Sequence, residues 1–234
     1  MNGLMVERLE DRILLAASVS FQSGTLSFTG DGGVDHVSID GWGEPGLVRV
    51  AYHGPCGSEQ TIEFYENVNN IVINTKGGAD FVHIASLDIS GSVTVNTGGG
   101  NDYLGFFESS IGGSFSAKMG GGSDFLTTAN NLIAGTASIN MGGGLDGVDY
   151  YNTDSVGKLT MKFGGGNDHA LLLFNDVAEG SVVSGDGGKD LFFDLDEPLP
   201  TTTSLVKIEV QTHSATPEID DLWYNDFLKR GICD

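Results

Sequence analysis

Six glycine-rich turns, each closed by an aspartate, recur along this chain at one fixed interval. They run Lys76-Gly77-Gly78-Ala79-Asp80, Gly98-Gly99-Gly100-Asn101-Asp102, Gly120-Gly121-Gly122-Ser123-Asp124, Gly142-Gly143-Gly144-Leu145-Asp146, Gly164-Gly165-Gly166-Asn167-Asp168 and Asp186-Gly187-Gly188-Lys189-Asp190, so each closing Asp follows the last by 22 residues. An unbroken period between about 20 and 50 residues is the mark of a stacked repeat, in which one unit cannot bury its apolar side alone.

The residues between the turns say what is stacked. Two positions after each Asp stand Val82, Leu104, Leu126, Val148, Ala170 and Phe192, and two further on Ile84, Phe106, Thr128, Tyr150, Leu172 and Asp194. This alternation has the period of a strand. Ile89, Ile111, Ile133 and Val177 recur midway, followed by a second corner at Gly91, Gly113, Gly135 and Gly157. A second strand then carries Val93, Phe115, Ala137 and Leu159 into the next glycine run. Three adjacent glycines would cost a helix about 3 kcal/mol, so a helical repeat is excluded.

The pattern predicts an all-β fold, a right-handed parallel β-solenoid of about eight 22-residue coils occupying residues 18–212. Coils rise about 4.8 Å each, so Asp80 to Asp190 should span roughly 24 Å. Upstream, Asp35 closes the related turn Gly30-Asp31-Gly32-Gly33-Val34-Asp35, but it precedes Asp80 by 45 residues and no glycine turn stands between. Residues 41–70 are therefore either a degenerate coil or an antiparallel hairpin.

An open stack exposes strand edges that need covering. Leu4, Met5, Leu9, Ile13 and Ala16 recur at helical spacing, which makes residues 1–17 a capping or sorting segment. In 213–234, Thr216 suits a helix N-cap, Pro217 the first turn and Gly231 the stop, with Ile219, Leu222, Trp223 and Phe227 as the apolar stripe. This predicts a second capping helix.

Charge limits the partners. The chain carries 32 Asp and Glu against 11 Lys and Arg, a net charge of −21, which repels a nucleic-acid backbone. Its longest apolar runs, such as Ile13–Ala17 and Ala170–Phe174, are far short of the roughly 20 residues of a membrane-spanning helix.

In a register-true stack, Asp80 to Asp190 form one file of carboxylates about 4.8 Å apart, which repel by about 1 kcal/mol in water and by more where water is excluded. A divalent cation between turns would relieve this. Calcium suits it best, because it accepts six to eight oxygens in irregular geometry, backbone carbonyls included. The alternative is that each Asp accepts hydrogen bonds from turn amides.

The turns resemble the calcium-binding G-G-x-G-x-D-x-U-x repeat of RTX (haemolysin-type) proteins, most closely at Gly98–Leu104 and Gly164–Asp168. The RTX repeat is nine residues long, and its first glycine is Thr97, Met119, Met141 and Phe163 here. The resemblance implies calcium held by Asp80, Asp102, Asp124, Asp146, Asp168 and Asp190, by Asp35, Asp31 and Asp186 of the related turns, and by the carbonyls of Gly99, Gly121, Gly143 and Gly165. A second resemblance lies in Val6–Ala17, VERLEDRILLAA, which is similar to the LEPR-XLL segment opening many large surface proteins of planctomycete bacteria. It implies an extracellular or cell-envelope location, with envelope polysaccharide or other surface proteins as partners.

Parallel β-helices also carry polysaccharide lyases and hydrolases, so a carbohydrate-active enzyme on acidic polysaccharide is the competing reading. The four arginines, Arg8, Arg12, Arg49 and Arg230, lie outside the six repeats, and Lys118, Lys158 and Lys162 fall on outward offsets, which leaves no proton-abstracting base. Asp149 with Asp154, or Asp194 with Asp196, are the candidate acid pairs for hydrolysis. The histidines fit no metal spacing. The expectation is a structural and interaction module, not an enzyme.

Overall fold

The computed structural model describes residues 17–53, 60–173, 175–194, 204–206 and 209–210. Twenty-one strands carry them: β1 (Ala17–Gln22), β2 (Thr25–Gly30), β3 (His36–Gly41), β4 (Val48–His53), β5 (Thr61–Tyr65), β6 (Asn70–Asn74), β7 (Phe81–Ala85), β8 (Asp88–Ile89), β9 (Val93–Gly99), β10 (Tyr103–Phe107) and β11 (Ser110–Ile111). They continue with β12 (Phe115–Gly121), β13 (Phe125–Ile133), β14 (Ala137–Gly143), β15 (Gly147–Ser155), β16 (Leu159–Lys162), β17 (His169–Leu173), β18 (Val182–Ser184), β19 (Leu191–Asp194), β20 (Ser204–Val206) and β21 (Glu209–Val210). No helix occurs among the described residues.

The strands form two sheets. Sheet A has the order β1-β2-β6-β9-β12-β14-β16-β18-β20, and sheet B the order β21-β19-β17-β15-β13-β10-β7-β3-β4-β5, with β8 and β11 beside it. Pairing within the stack is parallel and advances by one repeat: Val93, Phe115, Ala137 and Leu159 are neighbours in sheet A, and Val82, Leu104, Leu126, Val148, Ala170 and Phe192 in sheet B. These are the apolar columns of the repeat, which face each other across one continuous buried core. Large and small residues interleave there. The Phe106 and Phe115 rings stack at 4.6 Å between centroids and 4° between planes, and the small Ala137 follows Phe115 in its column.

The uniform stack, from β6–β7 to β18–β19, amounts to about six turns rather than eight. The difference lies within 41–70, where the described strands β4 and β5 form a hairpin-type insertion. β4 runs antiparallel to β3, and β5 antiparallel to β4. The chain reverses at 42–47, where Gly43 and Gly46 take φ of +82° and +73°, Trp42 N donates to Leu47 O and Leu47 N to Glu44 O. β1 likewise adds antiparallel to β2. At this end of the stack both sheets thus finish in reversed strands, and Phe21 of β1 meets Tyr65 of β5 across them at 5.6 Å. The capping helices expected in 1–17 and 213–234 lie outside the described residues, apart from Ala17, which opens β1.

Candidate functional site

Each glycine turn joins a sheet A strand to a sheet B strand, and its backbone is dictated by how closely coils approach. Gly122 has φ +125°, and a Cβ there would sit 1.9 Å from the Gly100 carbonyl oxygen; Gly120, at φ +111°, would meet the Gly98 oxygen at 1.7 Å. Only glycine satisfies both the left-handed backbone and the contact.

This tight turn delivers the aspartates to the interior. Asp80, Asp102, Asp124, Asp146, Asp168 and Asp190 are 0–3% exposed, and Asp35 stands at the head of the same column. The amide of each donates to Oδ1 of the next: Asp35 to Asp80, Asp80 to Asp102, Asp102 to Asp124, Asp124 to Asp146 and Asp146 to Asp168 at 2.9 Å, and Asp168 to Asp190 at 3.0 Å. The column is thus a chain of charge-assisted amide–carboxylate bonds that fixes one coil on the next. The Oδ2 atoms of these residues are buried with no hydrogen-bond partner, and Asp35, with no coil donating to it, has neither oxygen satisfied.

The electrostatic consequence is shared by the six carboxylates from Asp35 to Asp168. Burial, reinforced by neighbouring Asp charges, pushes Asp35, Asp124 and Asp168 up to about 7. Burial likewise raises Asp80 to about 6, against the Thr75 hydroxyl and the Asp35 amide that pull it down, and Asp146 to about 6, against the Asp124 amide. Asp102 moves in the same direction. A desolvated carboxylate with one bond satisfied gains from a proton or a cation.

The remaining residues expected at a calcium site separate from this column. Asp31 is exposed and accepts the Gly33 amide at 2.7 Å, and Asp186 is exposed and accepts the Ser184 hydroxyl at 2.6 Å. The carbonyls of Gly99, Gly121, Gly143 and Gly165 accept inter-coil amides from Gly78, Gly100, Gly122 and Gly144 at 2.7–2.9 Å. Those four oxygens continue the sheet ladder from coil to coil. Thr97, Met119, Met141 and Phe163, which replace the first RTX glycine, are buried in the core. Among the described residues no three His, Cys, Asp or Glu side chains gather as a metal cage. The polar side-chain atoms that the column leaves without a hydrogen-bond partner are its Oδ2 oxygens.

Other corners carry ladders that sequence reasoning passed over. Leu87, Ser109 and Thr153 donate their amides to Ser109 Oγ, Asn131 Oδ1 and Asn175 Oδ1 of the following coil at 2.9–3.1 Å. On the opposite corner the amides of Ser92, Ser114 and Thr136 reach back to Asn70, Ser92 and Ser114. The signal was present, since Ser109, Asn131, Thr153 and Asn175 recur at the 22-residue interval. On sheet A, Asn96 Nδ2 donates to Asn74 Oδ1 at 3.4 Å, and Asn140, at the same offset of its coil, lies between Lys118 and Lys162.

The candidate acid pair divides. Asp149 faces outward from sheet B, whereas Asp154 lies past the corner at Asn152, accepts the Asp176 amide at 3.0 Å and lines a groove of about 510 Å³ with Asp88, Glu108 and Asn130. The Asp194 side chain and Asp196 lie outside the described residues. Comparison with protein-family models, curated proteins and solved structures returns no match for this chain.

Proposed function

We propose that this chain is a structural and interaction module of the cell exterior or envelope, a register-locked β-solenoid whose aspartate column takes up calcium. The observation that carries the reading is the file of buried carboxylates with unpartnered Oδ2 atoms. The rest of the molecule provides the contrast. At the second corner Asn131 and Asn175 accept the same kind of inter-coil amide through a neutral side chain, and their Nδ2 groups go on to the carbonyls of Phe106 and Tyr150 at 2.8 and 2.7 Å. Register therefore does not require charge. An uninterrupted file of Asp is a poor choice for hydrogen bonding alone and a good one for a cation.

In this reading Asp80 to Asp190, with Asp35, hold the ion. Calcium supplies positive charge that offsets the repulsion between coils. The column residues supply the hydrogen bonds that keep the file straight, and the glycine turns exclude water from it. An acidic chain of this kind stays loose where calcium is scarce and sets where it is abundant. The exterior location rests on the likeness of Val6–Ala17 to the LEPR-XLL segment, and the partners it suggests are envelope polysaccharide or other surface proteins.

Thermal unfolding in millimolar calcium and in chelator tests the cation. The expected result is a clearly higher midpoint with calcium, reduced in Asp124→Asn; equal midpoints would remove calcium from the reading. Incubation with acidic polysaccharides tests the module. Binding without new reducing ends or unsaturated uronates is expected, and product formation would move the assignment to a carbohydrate-active enzyme.

A further inference from the structure

The negative charge of this chain is unevenly placed. The nine strands of sheet A contain no Asp or Glu, although the chain has 32 of them. Two columns face outward from that sheet in register: Val72, Thr94, Ser116, Ser138, Thr160 and Val182, and beside them Asn74, Asn96, Lys118, Asn140 and Lys162. A third, at the corner, holds Asn70, Ser92, Ser114 and Thr136, with Lys158 at the next 22-residue step. The outer face of sheet B is mixed by comparison, with Phe81 and Phe125 beside His83, His169, Asp40 and Asp149. Lys118, Lys158 and Lys162 are exposed, and among the described residues no ion pair includes them. Lys118 and Lys162 are two strand spacings apart, about 10 Å, and Lys158 precedes Lys162 by four residues of strand, about 13 Å. Three ammonium groups thus mark out one patch, and the nearest acids in sequence, such as Glu179 and Asp186, stand in turns beyond the strands.

We propose that the outer face of sheet A binds a linear acidic polysaccharide, with Lys118, Lys158 and Lys162 on its carboxylates and the Ser, Thr and Asn columns on its hydroxyls. The inference rests on the reading of the chain as a module that binds such polymers, and adds the face that does so. Charge selects an anion. A chain of net charge −21 repels one over most of its surface, and the acid-free sheet with its three lysines is where that repulsion is relieved. The other side chains select a sugar. Protein partners are anchored by aromatic and Arg side chains in desolvated pockets, and single-stranded nucleic acid by rings on which its bases stack. The three columns offer neither, only hydroxyl, carboxamide and ammonium groups with two valines. A sugar ring carries hydroxyls around its rim, and these are the donors and acceptors that pair with them. The repeat adds the match to a polymer, because like groups return about every 4.8 Å along one direction and successive sugars can meet the same partners at each step.

Titration of the full chain with galacturonate oligomers and with their methyl esters, at constant calcium, decides it. The wild type should bind the acid form, more weakly as sodium chloride rises, and the ester far less, since esterification removes the charge and keeps the sugar. Equal binding of acid and ester would overturn the role of the lysines. The triple variant Lys118→Gln, Lys158→Gln, Lys162→Gln should bind about tenfold more weakly or worse, at an unchanged melting temperature because all three side chains are exposed. Ser116→Glu, which puts an acid in the middle of the face, should lose binding too, whereas Thr127→Glu on sheet B should keep it. Undiminished binding by the triple variant and by Ser116→Glu would overturn the assignment of this face and leave the module reading standing. Equal losses in Ser116→Glu and Thr127→Glu would overturn it as well, since added charge would then repel the polymer from either sheet. A wild type that binds neither oligomer would overturn both the face and the module.

Discussion

The amide of Asp124 donates to Oδ1 of Asp146, one coil on, at 2.9 Å, and the second oxygen of Asp146 is buried with no partner. One half of this carboxylate holds register while the other half is held out of water without compensation. The same relationship repeats from Asp35 to Asp190, and stability should therefore follow whatever neutralises the column.

A proton can do so. The pKa values of Asp35, Asp80, Asp124, Asp146 and Asp168 are raised in the folded chain to about 6 or 7, so the folded state binds protons more tightly than the unfolded state. Their stabilising contribution is complete below the unfolded value near 4 and is lost as pH rises through 6 to 7. In chelator, acidification from pH 8 to pH 5 should raise the melting temperature, and about 2 kcal/mol of net gain corresponds to roughly 4–8 °C for a chain of this size. Saturating calcium should flatten the dependence. A midpoint that falls over this range would contradict the assignment.

The turns make a sharper claim about neighbouring glycines. Gly122→Ala would place a Cβ 1.9 Å from the Gly100 oxygen on a backbone of φ +125°, whereas a Cβ at Gly121 meets nothing within 4 Å. We expect Gly122→Ala to cost at least about 3 kcal/mol or prevent folding, and Gly121→Ala to change stability by less than about 1 kcal/mol. Denaturant titration of the two variants checks the difference.

Tyr150 occupies the core column of Ile84, Phe106 and Leu172, and its hydroxyl is buried with no hydrogen-bond partner. Burial and the charge of Asp154 hold that hydroxyl protonated, well above the usual phenol value. Tyr150→Phe removes the unsatisfied group and keeps the ring, so it should stabilise the fold by about 1 kcal/mol. A loss of stability on calorimetry would mean that the hydroxyl is satisfied in solution.

At the second corner Asn131 accepts the Ser109 amide at 3.0 Å and donates to the Phe106 carbonyl at 2.8 Å, from a site 4% exposed. Asn131→Ala orphans both backbone groups and should cost about 2–4 kcal/mol, whether or not calcium is present. Asp124→Asn should instead change stability in a calcium-dependent way. Melting the two variants side by side separates a register ladder from a cation column.

The sequence by itself determined the repeat, its 22-residue pitch, the two strands of each coil and the stacking of Asp80 to Asp190 in one file. These follow from local alternation and from glycines at a fixed interval, signals that every coil restates. Residues 41–70 could not be resolved between coil and hairpin, because β3, β4 and β5 alternate in the same way whichever direction they run. Only pairing partners distant in sequence choose that direction. The tertiary structure alone decided which oxygens are spent. The Asp residues expected as ligands proved to bond inter-coil amides through one oxygen, and the carbonyls of Gly99, Gly121, Gly143 and Gly165 proved to belong to the sheet ladder. A spacing can place a donor and an acceptor on the same edge, but whether they meet depends on the rise and rotation between coils, which are set by how the two sheets pack their shared core.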